Sequence, residues 1–295
     1  MPGVLVTRSA TSGTTARARC IIESVRPVQP CRADLRIFVR ALAAAAMIAV
    51  LGAGCAIAPP SEPSSEHVLD RLLPSAVQII LEHPEGRRFR TGSGVVIASR
   101  PKGRNSECFV LTSGHTVAGA VGQKAIYLLF GRQRGAGIKE PGSVVAYRET
   151  ADLDVALLRA ESDECMPARP AAPPRLGEPI WVVAFPWGRN LMLARGIVSQ
   201  VNGDGAVDQE LAPRLMVDAS VSYGSSGGGV YDARDGGLIG LVEGYRTARV
   251  TSQGSEPPWH IDVPMPGQTL VTPLGDIRRF LAETGHAELI LATPR

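Results

Sequence analysis

From residue 75 to residue 272 the chain alternates short apolar runs with turn-rich separators. The first half predicts strands at 75–82, 92–99, 107–112, 125–131, 142–148 and 155–159, divided by stretches such as EHPEGRRF, RPKGRN and QRGAGIKEPG. The second half predicts six more, at 179–185, 191–201, 214–221, 228–232, 238–243 and 268–272. Between the halves, ESDECMPARPAAPPRLG at 161–177 has too many Pro and Gly and too few spaced apolar positions to belong to either core, so it reads as a crossover. Strands this short and regular predict small antiparallel barrels, whose closure removes exposed edges, and the all-β class. Two helices frame them. EHVLDRLL, from about residue 65, stops at Pro74. LGDIRRFLAE, 274–283, puts Ile277, Phe280 and Leu281 on one face and has Gly285 as its stop.

Ahead of residue 65 the pattern changes. Residues 1–40 show no sustained period and few aromatics, as expected of a leader or a disordered extension. Arg36 and Arg40 then precede ALAAAAMIAVLGAG, 41–54, an apolar run with the length of an export signal rather than of a comfortable membrane span. LGAGC, ending at Cys55, resembles a lipoprotein processing box, although Gly52 stands where the pattern prefers Leu, and APPSEPSSE after it suits a tether. Three readings stand side by side: lipidation of Cys55, simple cleavage near Ala56, and an uncleaved anchor. All three imply export to the periplasm, to a membrane-anchored place in the cell envelope, or to the outside; the alternative is a cytosolic protein in which the Ala-rich run is a buried helix. The divisions that follow are 1–40, a signal or anchor segment with its Pro/Ser tether at 41–64, and a folded domain at 65–295 with barrels at about 74–160 and 178–272 and a closing helix at about 274–284.

Charge narrows the partners. Residues 1–40 hold seven Arg against Glu23 and Asp34, a balance of +5, so of the overall +3 the remaining chain carries −2. Its three Lys, at 102, 124 and 139, do not cluster, which argues against a nucleic-acid partner. The five His show no metal-ligand spacing with Cys, so neither a metal nor another cofactor is expected. Cys20 and Cys31 fall in the leader. Cys108 and Cys165 fall in the domain, where a bond between them and two separate buried thiols are equally consistent with the sequence.

The chemistry concentrates in VDASVSYGSSGGGVYD, 217–232, where Gly224-Ser225-Ser226-Gly227-Gly228-Gly229 interrupts strand-like sequence. Glycine this dense permits a tight turn that projects a hydroxyl while backbone N–H groups converge, which suits a nucleophile beside an oxyanion hole. Serine is a weak nucleophile near neutral pH and requires a base and an orienting carboxylate. His115 follows the apolar run in CFVLTSG, and Asp154 opens DVALL; Asp152, two residues earlier, shares its strand face, so spacing alone leaves both acids open. In the order CFVLTSGHTVAGA, ADLDVALL and GSSGGG, these segments resemble the His, Asp and Ser boxes of chymotrypsin-fold serine proteases. They are most similar to the bacterial high-temperature-requirement type, over residues 74 to 285. The chain order also differs from the Ser, acid, His order of the α/β-hydrolases.

The resemblance implies two six-stranded barrels with a C-terminal helix and a catalytic set of His115, Asp154 and Ser226. It also implies oxyanion donors at the backbone N–H of Gly224 and Ser226. Ser225 stands where the family has Asn or Asp. With ten residues after Gly285, the resemblance extends to the catalytic domain without a PDZ domain. It places Ser220 near the base of the primary pocket and Val242-Glu243-Gly244 beside the substrate backbone, with Tyr245 narrowing the pocket and Glu243 offering charge to a basic side chain; small or medium apolar side chains are the preferred substrates. The expected function is a serine endopeptidase working through an acyl-enzyme on unfolded or flexible envelope proteins, with protein or peptide partners. A catalytically silent peptide-binding module of the same fold is the alternative, and a structural envelope protein is a third class. The sequence specifies no oligomeric state.

Overall fold

The computed structural model describes residues 64–120, 125–201, 215–252, 254 and 259–290. Two closed antiparallel barrels account for most of them. In the first, β1 (Ala76–Glu82), β2 (Arg88–Lys102), β3 (Asn105–Thr112), β4 (Ala125–Phe130), β5 (Ile138–Glu149) and β6 (Asp154–Ser162) pair in the order 1-2-3-6-5-4. In the second, β7 (Pro179–Ala184), β8 (Met192–Gln200), β9 (Met216–Val217), β10 (Gly229–Asp232), β11 (Leu238–Thr251) and β12 (His260–Pro273) pair in the order 10-11-12-9-8-7. The expected all-β class and the two six-stranded barrels are what the chain adopts. The leader, the signal segment with Cys55, and Lys124 lie outside the described residues, and among those described no helix is long and apolar enough to cross a membrane.

Side-chain alternation explains where each strand sits. In β4, AIYLLF, buried positions alternate with half-buried ones, as for a strand with one face inside a barrel. In β3 every residue of CFVLT is buried. Cys108 and Val110 point into the first barrel with Val77, Ile79, Leu128 and Leu158. Phe109 and Leu111 join a second core between the barrels, with Val183, Phe185, Tyr231 and Leu241 from the second barrel and Ile277, Phe280 and Leu281 from the last helix. A third core, around Ile180, Val198, Val230 and Val271, fills the second barrel. Each such side chain contributes about 1.5–3 kcal/mol by leaving water, so strands buried on both faces weld one barrel to the other. The last helix, Leu274–Glu283, lays Leu274, Ile277, Phe280 and Leu281 onto this junction, and Gly285 follows in the left-handed region at φ 78°.

Cys108 and Cys165 form a disulfide between β3 and the segment after β6, resolving the choice the sequence left open.

Two expectations need correction. Of the predicted strand 214–221, only Met216–Val217 is strand among the described residues. The Asp218 N–H still bonds Ile197 O at 3.2 Å, but the Ile197 N–H is taken by the Asp218 carboxylate at 2.6 Å instead of by a ladder carbonyl, and the regular strand ends there. Conversely, the strands predicted at 238–243 and 268–272 run on to Thr251 and back to His260, forming a ribbon with Thr247 opposite Pro264 and Val250 opposite Ile261. Pro264 and Pro266 disguise it in the sequence. They are tolerated because a two-stranded ribbon leaves one side of each strand without a ladder.

Candidate active site

The first barrel supplies the candidate base and its carboxylate. His115 sits in a single helical turn, Gly114–Val117, directly after β3, and Asp154 is the first residue of β6. A tight turn in which Thr150 and Leu153 exchange bonds at 3.0 and 3.2 Å closes the β5–β6 hairpin and aims Asp154 at that helical turn. One Asp154 oxygen accepts the His115 backbone N–H at 2.8 Å, and the other meets His115 Nδ1 at 2.5 Å. With a carboxylate as partner, Nδ1 carries the proton and Nε2 is left to accept. The Asp154 hydrogen bond outweighs partial burial and raises the His115 pKa above its ordinary 6.5, with Glu149 adding to the rise and Arg90 opposing it. Asp152 is exposed, and no hydrogen bond or ion pair links it to His115.

The second barrel supplies the nucleophile loop. Ser226 is half-buried, whereas Ser225 is 1% exposed, its hydroxyl accepting the Ser222 N–H at 3.3 Å. Ser225 thus does, weakly, some of the loop-holding that a longer side chain at this position would do. Gly227, at φ 80°, must be glycine: an added Cβ would lie 2.3 Å from Ser93 O and from Thr112 Oγ1. The N–H groups of Gly227 and Gly228 bond Val242 O and Ser225 O at 2.7 and 2.9 Å. Those of Gly224 and Ser226 have no protein acceptor among the described residues.

Strand β2 brings the two halves together. Ser93 N–H donates to Ser226 O at 2.9 Å, and a Cβ on Gly92 would meet both the Thr116 side chain, at 2.5 Å, and Ser226 O, at 3.4 Å. The residue after His115 and the backbone of Ser226 therefore converge on one glycine. Val242 O ties the same joint from the other side, accepting Ser113 Oγ at 3.0 Å as well as Gly227 N–H. No hydrogen bond joins Ser226 Oγ to His115, a contact that in unliganded hydrolases is often long and tightens only around substrate.

The proposed specificity residues border this loop. Ser220 is exposed, while Glu243, Gly244 and Tyr245 are half-buried. Pairing of β11 with β12 skips Glu243, a bulge that re-aims its side chain, and a Cβ on Gly244 would meet nothing within 4 Å. Two residues of the site escaped sequence reasoning. Arg90 donates to the His115 carbonyl, and Ser113 bonds Val242 O as described. Both act on main-chain carbonyls, for which residue type gives no pattern; Ser113 at least lies inside the His box, whereas Arg90 is 25 residues upstream of His115 and gives no signal. A cavity of about 310 Å³, lined by Ala171–Pro174, Ile239, Leu274 and Asp276, includes none of His115, Asp154 and Ser226.

A double antiparallel barrel with these features defines the trypsin-like class of peptidases. The chain belongs to the trypsin-like peptidase domain family, whose model matches residues 92–241, and this membership supports a serine-protease function acting on protein or peptide substrates. Among solved structures it is similar to the serine endoprotease from Yersinia pestis, at 17% identity and a TM-score of 0.53, covering 75% of this chain and 66% of that one. It is also similar to the Rv3671c protease in its inactive form, at 22% identity and a TM-score of 0.52, covering 74% of this chain and 92% of that one. At these identities the two structures speak for the fold. No curated protein matches the sequence.

Proposed function

We propose that the chain is an exported serine endopeptidase that cleaves peptide bonds through an acyl-enzyme, with Ser226 as nucleophile, His115 as general base and acid, and Asp154 as orienting carboxylate. The observation that carries this reading is the two-pronged grip of Asp154 on His115, at 2.8 and 2.5 Å, facing a serine loop whose Gly224 and Ser226 N–H groups are unengaged. As Ser226 Oγ forms a bond to the substrate carbonyl carbon, its proton passes to His115 Nε2, and the carbonyl π electrons move onto oxygen. The two free N–H groups are the donors for that oxyanion. Collapse breaks the C–N bond, and His115 returns the proton to the leaving amine. A water molecule, deprotonated by His115, then attacks the ester carbonyl, and Ser226 leaves with the proton restored.

Substrates on this reading are unfolded or flexible segments in the cell envelope, with small or medium apolar side chains favoured. Ser220, in place of an acid at the pocket base, and the nearby Tyr245 support that preference. The Cys108–Cys165 disulfide supports an oxidising compartment and hence export.

Labelling with a fluorophosphonate probe tests the reading, because the probe needs the activated serine and the oxyanion donors together. The wild type should label, Ser226→Ala should not, and Ser225→Ala should retain a measurable fraction. Equal labelling of wild type and Ser226→Ala would overturn the assignment. A wild type that takes no probe yet binds peptides would be the silent module instead.

A further inference from the structure

Ser93 lies at the centre of β2 and is fully buried, and the chemistry just described makes no use of its side chain. Every polar atom of this residue is nonetheless committed. Its N–H donates to Ser226 O at 2.9 Å and its carbonyl accepts Thr112 Oγ1 at 2.7 Å. Its hydroxyl donates to Gly224 O at 2.8 Å and accepts the Phe185 N–H at 2.8 Å. One residue of the first barrel thus holds the carbonyls on both sides of Ser225, together with the start of the turn Phe185–Gly188 from the second barrel.

That turn completes the clamp. Gly188 N–H bonds Phe185 O at 3.0 Å, and Trp187 N–H bonds Tyr223 O at 2.7 Å. Trp187 is the only non-glycine residue with positive φ among those described, at 56°, a strained conformation that persists because its surroundings impose it. Its ring stacks on Tyr223, with centroids 5.5 Å apart. In a planar trans peptide the C=O and the following N–H point in opposite directions. With Tyr223 O drawn to Trp187, the Gly224 N–H is directed away from the turn. With Gly224 O drawn to Ser93 Oγ, the next peptide plane is also fixed. Gly224 sits between them at φ 88°, a region that glycine enters and leaves more freely than any other residue, so its orientation depends on what holds the two flanking planes.

We propose that Ser93 is a positioning residue whose hydroxyl, bonded at once to Gly224 O and Phe185 N, locks the Gly224 N–H in the direction that an oxyanion requires. The inference rests on Ser226 being the nucleophile, and it adds that the donor is aimed from the opposite barrel.

The test compares wild type with Ser93→Ala, and uses Ser75→Ala as the matched loss of a buried hydroxyl that bonds Leu72 O and Tyr231 OH and none of residues 222–228. Outright loss of one oxyanion donor costs about 10²–10³ in kcat, and misaiming one should cost about 10- to 100-fold. KM for a peptide substrate should change less than about 2-fold, since the donor acts mainly in the transition state. Affinity for a peptide aldehyde, whose hemiacetal places charge in the hole, should fall by the same factor as kcat, and amide exchange over 222–228 should quicken. Ser75→Ala should show none of these changes. Should Ser93→Ala fail to fold, Ser93→Cys, with a weakly donating thiol, should show the same pattern at smaller amplitude. Unchanged kcat, aldehyde affinity and exchange would overturn the proposal, as would an equal kcat loss in Ser75→Ala. A wild type that neither turns over peptide nor takes the probe would defeat the protease reading alone; exchange over 222–228 would then decide the clamp, quickening in its favour and constancy against it.

Discussion

Asp154 is the residue at which the proposed chemistry is most exposed to test. Asp154→Asn should lower the acylation rate by about 10⁴, the magnitude known for the equivalent change in trypsin, because the amide stabilises the wrong imidazole tautomer. Asp152→Asn should be mild, since its side chain is exposed and out of contact with His115. Acylation rates of the two folded variants decide between them: near-normal activity in Asp154→Asn with collapse in Asp152→Asn would move the orienting role two residues upstream. The base must be neutral to accept a proton, so the acid limb of the kcat/KM profile should lie above pH 6.5 and move down in Asp154→Asn. Stability runs the other way. The bond to Asp154 favours protonated His115, so its contribution is complete below pH 6.5 and is lost as pH rises through the elevated folded value. The residues proposed for covalent and proton chemistry stand out in the sequence because their boxes combine a reactive side chain with a strand end. Ser93 and Arg90 do not, because a hydrogen bond to a carbonyl demands only a donor and leaves the rest of the local sequence unconstrained.

Among the elements, the nucleophile loop and the disulfide permit sharp predictions. Gly227→Ala would drive a methyl to 2.3 Å from the backbone oxygen of Ser93 at a φ that L-residues avoid, and should cost at least about 1–3 kcal/mol. A lowered thermal midpoint together with lost probe labelling would be the signature. The Cys108–Cys165 bond closes 57 residues of chain, for which a chain-entropy estimate gives about 4 kcal/mol. A Cys108→Ala, Cys165→Ala double variant should therefore show a lower denaturant midpoint, and the wild type should approach it under reduction. Strands such as β3, with CFVL, and β6, with VALL, were legible because burial on two faces writes an unbroken apolar run. The ribbon formed by Thr247–Thr251 and His260–Pro264 was not, because it faces solvent on both sides and carries proline.

At the scale of the molecule the two halves were legible from the strand count and the Pro-rich crossover, while the joint between them was not. It is made by residues distant in sequence, Ser93 with Gly224 and Ser113 with Val242, that obey no period. The proposed export is to be tested at the same scale: where the signal is cleaved, the native mature protein should begin between residues 52 and 60, with a lipid on Cys55 if the box works, and a soluble cytoplasmic product retaining 35–60 would refute it. The position of Val242, whose carbonyl receives both the Ser113 hydroxyl and the Gly227 amide, has a temporal consequence. Neither barrel alone holds all of His115, Asp154 and Ser226, so on the proposed mechanism a nascent chain has no hydrolytic capacity until both have folded and docked. On refolding from denaturant, barrel amides should become protected before probe labelling returns. On the proposed reading of an exported endopeptidase, this order of events keeps the newly made chain harmless to the cell that synthesises it.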